Sequence, residues 1–168
     1  KKTYQFVWHS YCDWYLEFLK PIFNSKNKLE INEARAFSSY MMSNILKILH
    51  PFIPFFTETV WQKNRYKSVF KDDLISSAWP SYKNFNKFNK NQNNINNIIE
   101  LISSIRSAKS ELKITPKLFC DLSFSDKSGK LKKLVTNNLN LIKPIARMKE
   151  IIETKNNSNN SIDILVLK

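Results

Sequence analysis

The chain opens on a stretch whose apolar residues recur at spacings of three and four. Val7, Tyr11, Trp14, Tyr15 and Phe18 form one stripe, and Trp8, Cys12, Leu16 and Leu19 form a second beside it. That period predicts an α-helix over residues 4–20. A helix apolar around most of its circumference belongs inside a bundle, and Pro21 is expected to end it. Residues 25–29 read as a polar turn. A second helix is expected from an N-cap at Asn32 to about His50, with Glu33 near its positive end. Its buried face would be Ala34, Phe37, Met41, Ile45 and Ile48, and Pro51 would stop it. Pro54 suits the first turn of a third helix that carries Phe56, Val60 and Trp61. Residues 67–93, rich in Lys, Asn and Asp, read as a connector with Trp79-Pro80 as an anchored turn.

A fourth helix is expected over about 93–113, with Ile95, Ile98, Ile99, Ile102, Ile105 and Leu112 on one face. The pattern then changes to the alternation of a strand over Leu118–Phe124. Gly129 marks a turn before a short helix with Leu131, Leu134 and Val135. Residues 141–153 are ambiguous between strand and helix around Pro144; Asn156–Ser161 reads as a turn and Ile162–Leu167 as a closing strand. The fold class is therefore mainly α: a helical bundle followed by a small α+β unit. A helical-bundle domain would span 1–90, and a long helix plus a small α+β subdomain would span 91–168. No internal repeat is visible.

Composition narrows the class. A length of 168 residues holds one good core, or a helical domain and a small appendage. Hydrophobic content of 42% with 13% aromatics excludes disorder as the main state. The 27 Lys and Arg against 14 Asp and Glu give +13, spread as +7 over residues 1–90 (14 against 7) and +6 over 91–168 (13 against 7). An excess of this size favours a polyanion, either nucleic acid or an anionic membrane. A surface rich in Lys and Asn through compositional drift would carry the same charge. Cys12 and Cys120 match no metal or disulfide spacing, so a reduced, cytoplasmic compartment is expected. No apolar run is long enough to span a membrane, and Asp13 and Glu17 make the N-terminal stretch unlike a signal peptide. Starting without Met inside a helical pattern is how a segment of a longer protein is expected to begin.

Most catalytic chemistry finds no support. A single glycine excludes Gly-rich phosphate loops, and no His-x-x-x-His or Cys-x-x-Cys pattern exists to hold a metal. His9 and His50 are isolated and read as structural. Asp13 and Glu17 lie one turn apart and imitate a carboxylate pair, but Lys20 follows and an ion pair is the simpler reading. No catalytic or metal-binding residue is assigned. The informative element is the fourth helix. With residue 95 at zero and 100° per residue, Arg106, Lys109 and Lys113 fall in the same arc as the isoleucines. Glu100, Ser103, Ser104, Ser107 and Glu111 fall opposite. The inward stripe itself turns basic toward its end. Two readings stand: lysine stems lying over apolar surface with cations at a helix C-terminus, or contacts to RNA phosphate. Lys117 extends this basic group beyond Pro116. Trp8, Tyr11, Trp14 and Tyr15 read as core, with base stacking as the alternative.

These residues carry a family resemblance. Tyr11-Cys12-Asp13-Trp14-Tyr15-Leu16-Glu17, with Phe6-Val7-Trp8 ahead of it, resembles the Phe-Cys-Asp-Trp-Tyr-Leu-Glu signature of valyl-tRNA synthetases, class I aminoacyl-tRNA synthetases. Leu49-His50-Pro51-Phe52-Ile53-Pro54-Phe55-Phe56-Thr57-Glu58, then Val60-Trp61-Gln62, is similar to their Leu-His-Pro-Phe-Met-Pro-Phe-Ile-Thr-Glu-Glu-Ile-Trp block. Trp79-Pro80 and Ile105-Arg106-Ser107-Ala108-Lys109-Ser110-Glu111 followed by Pro116 complete the series, in order, over roughly residues 4–125. Isoleucyl enzymes have Ala-Pro where this chain has His50-Pro51 and lack the Cys-Asp-Trp-Tyr run. Thr59 departs from the family's Glu and Lys109 from its Arg, and the resemblance is weak beyond about residue 130.

The resemblance implies a class I synthetase anticodon-binding helical bundle that docks the anticodon stem and loop of valine tRNA. The parent ligase would attach valine using ATP and Mg²⁺, on catalytic and editing domains upstream of residue 1. No cofactor is assigned to this chain. The RNA-binding candidates are Arg106, Lys109 and Lys113, with Arg35 and Lys20 as outer phosphate contacts. The expected partner is tRNA, with no DNA and no membrane, and the chain is expected to be a monomer. Alternatives are a basic helical protein-interaction module, or the equivalent segment of an isoleucyl or leucyl synthetase.

Overall fold

In the computed structural model, residues 1–81, 89–126 and 129–154 are described. Their elements follow from the apolar spacing, with corrections at the helix ends. The N-terminal helical run comprises α1 (Lys2–Gln5), a π-wound segment (Phe6–Tyr15) and α2 (Leu16–Phe23). Pro21 does not end it. The ring removes one N–H, yet Ile22 and Phe23 stay helical because Asn24 and Ser25 close the end on Lys20 O (3.1 Å) and Ile22 O (3.0 Å).

Helix α3 spans Lys28–Leu49, five residues longer at its start than the Asn32 cap implies. The cap is Asn27, whose Oδ1 accepts from Leu29 N–H (3.1 Å) and Glu30 N–H (3.4 Å). Asn27 with Glu30 three residues on is the capping-box spacing, and it outcompetes Asn32 because it reaches two orphan donors. Helix α4 spans Pro54–Lys63 with Pro at its first turn, as the sequence predicts. The first part of the expected connector is structured instead. Helix α5 (Tyr66–Phe70) and a 3₁₀ turn (Leu74–Ser76) follow α4, because Tyr66, Phe70 and Leu74 recur every four residues. Trp79 is exposed, so its turn is not anchored by its own ring within this unit; residues 82–88 lie outside the described residues.

The chain divides into two compact units, Lys1–Phe85 and Asn86–Lys168. In the first, Leu46, Trp61, Tyr66 and Leu74 form a buried cluster, with Met42, Val60 and Phe70 packed on it. Trp61 is fully buried, its ring centroid 5.0 Å from Tyr66 and 5.4 Å from Phe70, and its Nε1–H donates to Asp72 O at 3.2 Å. The N-terminal run joins α3 where Tyr15 Oη meets Ser38 Oγ at 3.0 Å. This run is less enclosed than its circumference predicts. Tyr11 and Leu19 are buried, but Tyr4, Phe6 and Trp8 are exposed, as is Phe37 on α3. Packing on one side of a helix suffices to hold it, so Trp8 and Leu16 of the second stripe stay exposed while Leu19 is buried.

In the second unit, α6 (Asn89–Glu111) precedes β1 (Cys120–Phe124), α7 (Lys130–Asn137), α8 (Leu139–Ala146) and β2 (Met148–Glu153). The ambiguous stretch 141–153 is thus the end of a helix, carrying Pro144 inside it, and then a strand. β1 is shorter than the alternation implies, because Leu118 N–H closes a turn on Thr115 O at 3.0 Å. The strands pair in parallel, Cys120 opposite Met148 and Phe124 opposite Glu153, with an irregularity between Cys120 and Leu122. A parallel pair needs a crossover, which α7 and α8 supply. Ile98, Leu101, Ile102, Ile105, Val135, Ile142, Ile145, Ala146 and Met148 form the buried apolar set among the described residues. The turn at Asn156–Ser161 and the strand at Ile162–Leu167 lie outside the described residues. The fold is mainly α with a small two-stranded α+β unit.

Candidate nucleic-acid interface

The five basic side chains nominated by sequence meet different environments. Lys20 is exposed on α2 and ion-paired with Glu17, as the sequence predicts for that turn. Arg35 is exposed on α3. The other three lie along α6 and just beyond it.

Helix α6 buries Ile98, Leu101, Ile102 and Ile105. At 100° per residue that arc is centred near residues 98 and 105 rather than on 95, which leaves Ile95 exposed and places Lys109 inside the arc. Lys109 is only 8% exposed, and its Nζ donates to Leu118 O at 2.6 Å. Arg106 sits at the edge of the arc. It is exposed, yet its Nη2 donates to Ile145 O at 3.1 Å. The carbonyls these cations meet lie at the entry to β1 and near the end of α8, so both side chains join elements of this unit. The wheel does not apply to Lys113, because α6 ends at Glu111. Ile114 N–H bonds Lys109 O (2.8 Å) and Lys113 N–H bonds Ser110 O (3.0 Å), a Schellman ending with Lys113 at C′ and φ +54°. Lys113 is exposed there.

The aromatic set also separates. Tyr11 is buried with its ring 5.3 Å from Tyr15, and Trp14 and Tyr15 are half-buried. Burial pushes the Tyr11 phenol above its ordinary value, with Tyr15, Tyr66 and Cys12 adding to it. Trp8 is 54% exposed and stacks on exposed Tyr4, so it is not core among the described residues of this unit. A second apolar surface escaped sequence reasoning: Phe52, Ile53, Phe55 and Phe56 are all exposed around the start of α4. Phe56 lies on the third helix as the sequence predicts, and α4 turns Thr57 and Trp61 inward.

The histidines have local partners. His9 Nδ1 lies 3.2 Å from Asp13 Oδ2, both exposed. His50 Nδ1 lies 2.9 Å from Thr57 Oγ1, and that hydroxyl is 3.0 Å from both Ile53 O and Pro54 O. A hydroxyl has one proton, which those carbonyls take, so His50 Nδ1–H is the donor to Thr57. This bond pins the Pro51–Pro54 corner to the first turn of α4. Among the described residues no group of three His, Cys, Asp or Glu side chains is placed to hold a metal ion, and no helix is long and apolar enough to cross a membrane.

A mainly helical body that displays cations from several elements has the charge expected of a module that meets a polyanion. Sequence comparison defines it further. The family model for the anticodon-binding domain of tRNA ligases matches residues 1–124, and the chain belongs to that family. Its relatives include the valine–tRNA ligase of Pelagibacter ubique, 40% identical over 151 residues that make up 90% of this chain and 17% of that protein. The valine–tRNA ligase of Buchnera aphidicola is 34% identical over 150 residues, 88% of this chain and 16% of that protein. That of Zymomonas mobilis is 38% identical over 118 residues, 68% and 13% respectively. The chain thus spans less than a fifth of the length of these relatives.

Proposed function

We propose that this segment binds the anticodon stem and loop of valine tRNA and so helps a valine–tRNA ligase select its substrate. Membership of the anticodon-binding family over residues 1–124 carries this reading. The likeness to valine–tRNA ligases over 90% of the chain supports the choice of amino acid. In this reading the parent ligase attaches valine to tRNA in the cytoplasm with ATP and Mg²⁺. That chemistry belongs to parts of the ligase outside these residues, and no catalytic or cofactor-binding role falls to this chain, which acts as a monomer. Residues 1–90 and 91–168 act as separate domains. Phosphate contact falls to Lys113, Arg35 and Lys20, with Arg106 beside them. Lys109 serves the platform through Leu118, so of the two readings of its position the structural one is preferred.

RNA recognition of this kind uses cations to set register on the backbone and a few groups to read splayed bases. Titration of the chain with valine tRNA, isoleucine tRNA and duplex DNA across a salt series tests it. Valine tRNA should bind most tightly, with log K falling linearly against log salt. Arg35→Glu and Lys20→Glu should each lower that slope by about one. Absence of tRNA binding at low salt would remove the reading.

The exposed Phe52, Phe55 and Phe56 favour a protein contact beside the RNA one, since residues 48–57 contain no Lys or Arg to meet phosphate. Phe55→Ser with Phe56→Ser should therefore leave tRNA affinity unchanged. A loss of affinity in a folded variant would assign those rings to base stacking instead.

A further inference from the structure

Among the described residues, four other than glycine have positive φ: Arg65 at 56°, Lys71 at 63°, Lys113 at 54° and Arg147 at 54°. All four are basic. Each follows the end of a helix: Arg65 after α4, Lys71 after α5, Lys113 after α6 and Arg147 after α8. The left-handed region crowds Cβ against the backbone, so Gly, or failing that Asn, is the ordinary occupant of such an ending. A shortage of glycine does not account for the choice, because the chain has one glycine but 20 asparagines. Nor does the helix dipole, since a cation one residue earlier, at ordinary helical φ, serves it equally well. The identity of these residues needs a reason outside the backbone.

In the second unit two of the four are brought to one edge. Arg106 bonds Ile145 O, Lys109 bonds Leu118 O, and Cys120 N–H bonds Arg147 O at 3.3 Å. Two bonds thus tie the last turns of α6 to the junction where α8 ends and β1 begins, and the third closes that junction. Arg147 stands at that junction and is exposed; Lys113 stands at the end of α6 and is exposed. Side chains inside a helix lean back over the preceding turn. A left-handed residue at C′ has left the helix, so its cation is carried clear of that surface and of the carbonyls that hold Arg106 and Lys109.

We propose that Lys113 and Arg147 contact RNA phosphates along this edge, with Arg106 and Lys109 holding its two sides in register. The inference rests on the tRNA-binding reading and extends it to Arg147, which lies beyond residue 124, where the family match ends. Left-handed geometry here is tolerated because it delivers charge to the ligand.

The test uses Lys113→Gly and Arg147→Gly, singly and together, in the 168-residue chain with valine tRNA. Glycine relieves the backbone and deletes the cation, so the two readings predict opposite results. Each variant should bind tRNA about three- to tenfold more weakly at low salt, and the slope of log K against log salt should fall by about 0.7–0.9 per residue. The melting temperature should hold or rise by about 2–4 °C. Lys113→Arg and Arg147→Lys should keep affinity within about twofold, because a phosphate needs only a point charge. Glycine variants with wild-type affinity and slope would overturn the proposal. If glycine lowers the melting temperature, Lys113→Asn and Arg147→Asn carry the test well below their melting temperatures; loss of affinity supports the proposal and wild-type affinity overturns it. A wild-type chain that binds no tRNA would remove the function reading and this inference with it. Binding by the wild type that is unaffected by the glycine variants removes this inference alone.

Discussion

In the first unit Trp61, Tyr66 and Phe70 pack ring against ring, with Leu46 and Leu74 around them. In the second unit Ile98, Ile102, Ile105, Ile142 and Ile145 do the same work, with no buried ring among the described residues. The difference reaches the charges. A tryptophan brings its own polar handle, and Trp61 Nε1–H secures the Asp72 carbonyl from within the core. Isoleucine has none, so the carbonyls at the edge of the isoleucine core, Leu118 and Ile145, are met by Lys109 and Arg106 reaching in from α6. Among the described residues the aromatic unit keeps its cations outside, apart from Lys47, which lies 5.9 Å over the Trp61 ring and 5.2 Å over Phe70. The two units therefore differ in whether cations are spent on carbonyls at the edge of the core.

The largest break in this comparison should come from Trp61→Ala, which empties the centre of the aromatic cluster. We expect a loss of about 3–5 kcal/mol in denaturant unfolding, whereas Trp61→Phe keeps a ring, deletes Nε1–H and should cost about 1–3 kcal/mol. Equal losses for the two would show that the indole hydrogen bond, and not ring packing, holds the cluster. Next in size is Lys109→Met, which keeps the stem and removes the ammonium from Leu118 O. A loss of about 1–3 kcal/mol is expected, with tRNA affinity of the folded protein unchanged. Intact stability with a tenfold drop in affinity would return Lys109 to the RNA face. Asn27→Ala should cost about 1 kcal/mol by uncapping α3, read from the thermal midpoint; Asn32→Ala should have no comparable effect.

The smallest effect concerns pH. Lys67 is held above the ordinary lysine range first by its hydrogen bond to Asp73 and then by that carboxylate's charge, and Lys132 likewise by Glu153. A folded-state value raised above the unfolded one, about 10.4, gives stability present below that pH and lost as pH rises through the folded value. Both groups are exposed, so the change should be slight. Burial of the Tyr11 phenol acts in the same direction above its ordinary value. Thermal midpoints should be level from neutral pH to about 10 and decline beyond it. A decline that starts near neutral pH would point to groups other than these.

Much of this was legible along the chain. Apolar spacing located α3, α4, α6 and β1, and Pro54 and Gly129 marked real starts and turns, because such signals are local: a period, a missing N–H, a missing Cβ. The ordered motifs over residues 4–125 were enough to indicate the family that the match over 1–124 establishes. The helix end past Pro21, the cap at Asn27 and the helix and turn within 66–76 were misread because each depends on which of several local partners wins.

What only the tertiary structure decided is the use of each charge. On a helical wheel Arg106, Lys109 and Lys113 share one arc, yet the fold gives them three separate situations. Lys109 is buried on the Leu118 carbonyl, Arg106 joins α6 to α8 from the surface, and Lys113 stands beyond the helix at positive φ. Sequence determined that basic residues follow the isoleucine stripe. Which of them are consumed depends on carbonyls 9 and 39 residues away. Those acceptors become neighbours only once α8 and β1 have folded against α6, and no local rule of spacing contains that distance.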